Sequence, residues 1–211
     1  MIQKITEYIK YNFNLTNSYI KKYVLKLFVM TFTAFILSGI AFYFLMFAIP
    51  EYANDIYRAI GEMFNSVDVI KDDGSISVVM LFLNNFRAAV LSYFYGFIPF
   101  LFLPILVMIL NSSVIGAVLG VLSIASDINV IFTIIKYLLP HGIVEIPAII
   151  LTYSAGIRLC TIITKKIFGK AKDEKLKDHI CNFIRMLIFY ITPLLVIAAF
   201  IEGVILPMFI L

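Results

Sequence analysis

Residues 27–50 read LFVMTFTAFILSGIAFYFLMFAIP and contain no charged side chain. An uncharged apolar run of this length matches the ~20 residues a helix needs to cross about 30 Å of hydrocarbon. A second uncharged stretch, residues 88–126, is longer still. Over all 211 residues, 62% are hydrophobic and 14% are charged, against roughly 45–50% and about 25% in soluble domains. No single soluble core could hide that much apolar surface. The chain reads as an integral membrane protein, and its continuous rather than alternating apolar runs favour helical spans over a membrane barrel.

Flanking charges order the spans. Residues 1–26 carry Lys4, Lys10, Lys21, Lys22 and Lys26 against Glu7, which assigns them to the cytoplasmic side. Ile2, Ile5 and Ile9 recur at helical spacing beside Tyr8, so an amphipathic segment along the membrane surface is expected. These polar and mixed residues precede an apolar run too long for a signal peptide core, so no cleaved leader is expected. Residues 27–49 then cross outward.

Residues 51–77 hold Glu51, Asp55, Glu62, Asp68, Asp72 and Asp73 against Arg58 and Lys71, which suits an acidic extracytoplasmic loop. Ile56, Ile60, Met63 and Phe64 have helical spacing there, and Asp72-Asp73-Gly74-Ser75 reads as a turn. Residues 78–123 are too long for one span. Gly96, Pro99 and Pro104 near the middle predict a hairpin, descending over 78–98 and ascending over 100–123. A shallower re-entrant loop is the alternative. Asp127 and Asn129 mark the outside again, followed by a short apolar segment, 130–139. A fourth span is expected over 140–164, a basic cytoplasmic segment over 165–185 and a last span over 186–207.

The expected fold is therefore all-α: one transmembrane domain of about five helices in the cell membrane, N-terminus inside and C-terminus outside. The basic residues lie between spans, so the net charge of +4 implies positive-inside topology beside a lipid bilayer and no nucleic-acid partner. Cys160 and Cys181 lack C-x-x-C spacing and are expected as free thiols.

Ionisable groups inside spans are costly, and they are functional candidates for that reason. Arg87, His141, Glu145, Arg158 and Glu202 are such groups. Glu145 lies 20 residues before Lys165, roughly 30 Å of helix, and Glu202 lies 17 after Arg185, roughly 25 Å. Both fall in the outer part of the membrane, and Asn84 and Asn85 on a descending helix reach the same layer. His141 and Glu145 are four apart, on one helix face. Pro140 favours a helix start before them, with Glu145 in its first turn.

Several roles fit these residues. His141, Glu145 and Glu202 are candidate ligands for a divalent metal such as zinc, or candidate catalytic groups with a general base and its orienting partner, or a proton relay. A plain His–Glu hydrogen bond tying buried helices together fits as well. Asn84, Asn85, Arg87 and Asn111 are the supporting polar cluster, with Arg87 expected to pair with Glu145 or Glu202. Arg158, close to Lys165, is expected to snorkel toward the inner interface. Gly116-x-x-x-Gly120 suits close packing within the chain or a homo-oligomer face. Protease, nucleophile-elbow and phosphate-loop signatures do not occur.

One combination is more specific. Asn84-Asn85-Phe86-Arg87 with Gly96, then Asn111 with Gly116, then Leu138-Leu139-Pro140-His141-Gly142-Ile143-Val144-Glu145-Ile146-Pro147-Ala148, together resemble the stage II sporulation protein M family. Gly156-Ile157-Arg158-Leu159 and Ala199-Phe200-Ile201-Glu202-Gly203 with Pro207 extend the likeness to the last span. Ser112 after Asn111, and Cys160 after Gly156, depart from residues common in the family. The resemblance implies a five-span membrane scaffold that recruits peptidoglycan hydrolases during sporulation engulfment; the first expectation is such a non-enzymatic scaffold, with the acidic 51–77 loop offering the docking surface. An intramembrane hydrolase using His141, Glu145 and Glu202 is the alternative. Transport is a third, disfavoured because the third span offers only Asn111, Ser112 and Ser113 as polar lining.

Overall fold

The computed structural model describes residues 1–52, 77–126, 129–171 and 173–210, with positions 55, 56, 58, 59 and 62 between the first two stretches. Every regular element among them is helical, and five helical runs are long and apolar enough to cross a membrane. The chain is all-α and multi-pass. The expected turn at 72–75, Asp127 and most of the acidic 51–77 segment lie outside the described residues.

Helix α1 (Ile2–Tyr19) continues through a π turn, Ile20–Val24, into α2 (Leu25–Ala48). At ~1.5 Å per residue the 46-residue run Gln3–Ala48 is about 69 Å long, and α2 alone is enough to span. Helix α1 is thus continuous with the first span and not a separate element. Its polar stripe finds partners on the last helical run. Arg185 Nε donates to Asn12 Oδ1 at 3.0 Å, the Tyr190 hydroxyl donates to Asn17, and Phe13 stacks on Tyr190.

The long apolar stretch does form a hairpin. Helix α3 (Val78–Phe94) is capped by the Ser77 hydroxyl and ends in a 3-10 turn, Tyr95–Phe97; α4 (Leu103–Ser126) returns. The tip reaches the depth of the basic segment, because the Phe100 N–H donates to Thr164 Oγ1 at 3.1 Å and the Phe100 ring meets Phe168 edge-on. Each arm is long enough to span on its own. The bend is tight: Phe100 and Phe102 have φ of 66° and 45°, a left-handed region uncommon for bulky residues.

Helix α4 lies against α2 along much of its length. A Cβ at Gly116 would collide with the Gly39 carbonyl, and one at Gly120 with Met46 and the Tyr43 carbonyl. The glycine motif is therefore spent on close packing within the chain. Ser38 donates to Ser112 at 2.9 Å and Ser112 to the Phe35 carbonyl, tying the same pair.

The fourth run is longer than expected. Short α5 (Val130–Thr133) passes through a π turn, Ile134–Leu138, into α6 (Leu139–Ile167). Pro140 thus falls early in α6 but inside a continuous 38-residue run, Val130–Ile167. The expected helix start before His141 is absent, and with it the dipole argument for Glu145. A π turn accommodates the missing proline N–H without ending the helix. Helix α6 is the centre of the bundle, burying Gly142, Ala148 and nearly all of the stretch 150–160. Gly169 and Ala171 turn the chain with φ of 69° and 60°. The last run, Leu176–Met208, comprises α7 (Leu176–Met186), α8 (Thr192–Phe200) and α9 (Leu206–Ile210), joined by π turns at Leu187–Ile191 and Ile201–Ile205. Both cysteines are free.

Candidate functional site

Two polar clusters stand on α6, one toward each end. The one near the start of α6, termed outer after the topology expected from the flanking charges, begins with His141 and Glu145, a helical turn apart. Glu202 comes to them from the π turn Ile201–Ile205 of the last run. Such turns insert an extra residue into the helical ladder and recur at functional sites. Close contact between Gly203 and Val78 of α3 holds this stretch in place, since a Cβ at Gly203 would lie 2.6 Å from Val78 Cγ2.

His141 Nε2 stands 3.9 Å from Glu202 Oε2. One donor atom from each of His141, Glu145 and Glu202 lies within 4.8 Å of the others. That is well inside the ~12 Å beyond which no single metal with ligand distances near 2 Å could bridge the two carboxylates. The separation is nonetheless too long for the interhelical His–Glu hydrogen bond considered from sequence, which needs roughly 2.7–3.2 Å. His141 Nδ1 is buried without a hydrogen-bond partner. Among the described residues, no lysine or arginine forms an ion pair with either glutamate.

The supporting residues do not gather there. Asn84 and Arg87 are exposed on α3, and Arg87 pairs with neither Glu145 nor Glu202. Asn85 is half-buried. Asn111 donates to the Tyr153 hydroxyl and so joins α4 to α6 below the cluster. The part of α3 that meets the Glu202 turn is Val78, well before Asn84 and Arg87 in the helix.

The inner cluster was not expected. Arg158 does not snorkel alone: its guanidinium donates to Glu174 Oε2 at 2.5 Å and lies over the Tyr23 ring at 4.8 Å. Glu174 Oε2 also meets His179 Nε2 at 3.1 Å, and His179 Nδ1 meets the Tyr19 hydroxyl at 2.8 Å. Four segments, α1, α6, the connector after it and α7, are joined by one chain of hydrogen bonds. The sequence signal was a charge in need of a partner: Arg158 within a span, with Asp173, Glu174 and Asp178 just beyond it.

Between α2, α4 and the 130–147 stretch lies a groove of about 660 Å³. Phe32, Ile36, Tyr43, Leu119 and Ile143 line it, and its one serine, Ser112, spends its hydroxyl on Phe35.

The fold and site define a multi-pass helical membrane protein with an acidic, imidazole-bearing centre between its last two runs. The family description "Stage II sporulation protein M" matches residues 28–207. The chain belongs to that family. An uncharacterised protein of Methanocaldococcus jannaschii is 31% identical over 100 residues, covering 47% of this chain and 54% of that protein. The chain thus matches about half the length of this curated relative. No solved structure matches.

Proposed function

We propose that this chain is a membrane scaffold that anchors peptidoglycan hydrolases at the outer face, through the acidic 51–77 segment. The observation that carries this reading is the family match from the first span to the last. The packing fits it. Several polar side chains inside the bundle tie separate segments together, as in Ser38–Ser112, Asn111–Tyr153 and Arg158–Glu174, which suits a rigid platform. The test is affinity capture with the tagged full chain from its native membranes. Cell-wall hydrolases should co-purify, and replacing 51–77 with a neutral linker should release them. Undiminished capture after that replacement, or no wall hydrolase in the eluate, would overturn the reading.

A second reading, a membrane-embedded hydrolase with Glu145 as general base, is favoured by the convergence of His141, Glu145 and Glu202. It predicts that Glu145→Gln leaves a folded protein without turnover of cell-envelope substrates, where the wild type cleaves one. Equal turnover by both would end it.

A further inference from the structure

We propose that His141, Glu145 and Glu202 form a binding site for one divalent transition-metal ion, zinc first, that joins α6 to the last span near the outer face. This site stands whether or not the chain is a scaffold.

Two independent observations point to a cation. The first is charge. Two carboxylates and an imidazole share a space in which their donor atoms lie within 4.8 Å, and among the described residues neither glutamate has a lysine or arginine partner. With both carboxylates ionised, even a protonated His141 would leave one negative charge over among groups that no lysine or arginine balances. Membrane interiors penalise such a surplus strongly.

The second is the missing hydrogen bonds. Two carboxyl groups sharing a proton sit at about 2.5–2.7 Å, and a His–Glu tie at roughly 2.7–3.2 Å. Neither contact is made by these three side chains. The imidazole, with 15% of its side chain exposed, leaves Nδ1 buried and unpartnered. His141 Nε2 stands 3.9 Å from Glu202 Oε2, and the three side chains share a space of 4.8 Å without a hydrogen bond among them. That is the disposition of ligands around a shared electrophile.

The chemistry of the donors narrows the ion. Imidazole favours zinc, copper, iron or nickel over magnesium or calcium, which prefer all-oxygen shells. Zinc takes oxygen and nitrogen ligands at about 2.0–2.2 Å, so its ligand atoms sit within roughly 4 Å of one another. Rotation of the two flexible glutamate side chains closes the remaining distance. Three protein ligands leave a fourth tetrahedral position for water, the pattern of catalytic rather than purely structural zinc. Glu202 in its π turn makes binding a link between two runs and not a local event on one helix.

The experiment uses the full chain purified in detergent, stripped with chelator, incubated with zinc chloride and freed of excess. Elemental analysis should find about one zinc per chain. His141→Ala, Glu145→Gln and Glu202→Gln should each retain at least ten-fold less at limiting zinc, with circular dichroism and gel filtration unchanged. His179→Ala supplies the matched control, because the sequence has only two histidines; it should keep its zinc. Zinc should also raise the thermal midpoint of the wild type, an effect that magnesium does not reproduce and chelator reverses. That measurement needs no variant, so it decides the matter even if a substitution prevents folding. Absence of the shift at saturating zinc overturns the proposal. So does zinc that follows His179, or that stays equal across all the variants. Partner capture is read separately: a failed scaffold test with retained zinc, or the reverse, assigns the failure to one reading alone.

Discussion

The two ends of α6 carry the same kinds of group and treat them oppositely. Glu145 and Arg158 are 13 residues apart on that helix, about 20 Å at ~1.5 Å per residue. Each stands beside a histidine and a glutamate. Exposure does not separate the clusters, since the His141 and Glu202 side chains are 15% and 28% exposed and those of Arg158 and Glu174 are 15% and 30%. Pairing does. The inner cluster balances Arg158 against Glu174 and strings Glu174, His179 and Tyr19 together at 2.8–3.1 Å. The outer cluster balances nothing and makes no hydrogen bond among its members. Each cluster keeps one buried nitrogen without a partner, Arg158 Nε and His141 Nδ1, so what separates them is the bonds among members: the inner groups hold one another, and the outer ones are available to a ligand.

The largest expected effect lies at the inner end. Arg158→Ala strands the Glu174 carboxylate, and breaking a buried pair costs roughly 3–5 kcal/mol. Glu174 is partly solvated, so the expected loss is the lower figure, about 3 kcal/mol, read as a fall in unfolding free energy of the detergent-solubilised chain. Removing both partners, Arg158→Leu with Glu174→Leu, should restore much of that loss, because apolar pairs often replace buried ion pairs at little cost. If the single and double changes are equally harmful, the inner cluster is not held by the pair.

Next in size is zinc on the outer end. At a free concentration a hundred times its dissociation constant, a ligand that binds only the folded state stabilises it by about 2.7 kcal/mol. The wild type should gain that much and His141→Ala should gain nothing. A smaller effect is Tyr19→Phe, which removes one hydrogen bond to His179 and should cost about 1 kcal/mol. Its comparison with His179→Ala, which loses two hydrogen bonds and should cost about twice as much, checks that the relay acts as a chain and not through one bond.

What could be read from sequence divides along a physical line. Apolar run length gives the spans, because every residue contributes to crossing the hydrocarbon. Gly96, Pro99 and Pro104 disclose the hairpin because they break the helix where it must turn. Counting residues from Lys165 and Arg185 gives depth, and depth brought Glu145 and Glu202 into one layer. Azimuth is not given by counting. Asn84 and Arg87 lie on an exposed face of α3, and only packing decides which face that is. The π turns compound this, since each shifts the register of everything beyond it, and Glu202 sits inside one. The inner relay was hidden for a different reason. Tyr19 and His179 are 160 positions apart, so no local spacing links them; only the unpaired charge of Arg158 within a span hinted at it.

The smallest predicted effect discriminates best between the two ends, because its sign is unusual. In chelator, Glu202→Gln keeps the shape of the side chain and removes one of two like charges within 4.8 Å. If both carboxylates were ionised they would repel by about 3 kcal/mol at an effective dielectric near 20. Local relaxation and proton uptake reduce what is recovered, so the expected change is a stabilisation of up to roughly 1 kcal/mol. With zinc present the same substitution should instead lower stability relative to the wild type, because a ligand is gone. Glu174→Gln at the inner end has no such reversal: it weakens the Arg158 contact with or without zinc. Chemical denaturation of the two variants in parallel, each with chelator and with zinc, reads the four signs. A Glu202→Gln variant that is destabilised in chelator would mean that the carboxylate already has a partner in the folded chain, and the contrast between the two ends of α6 would then collapse.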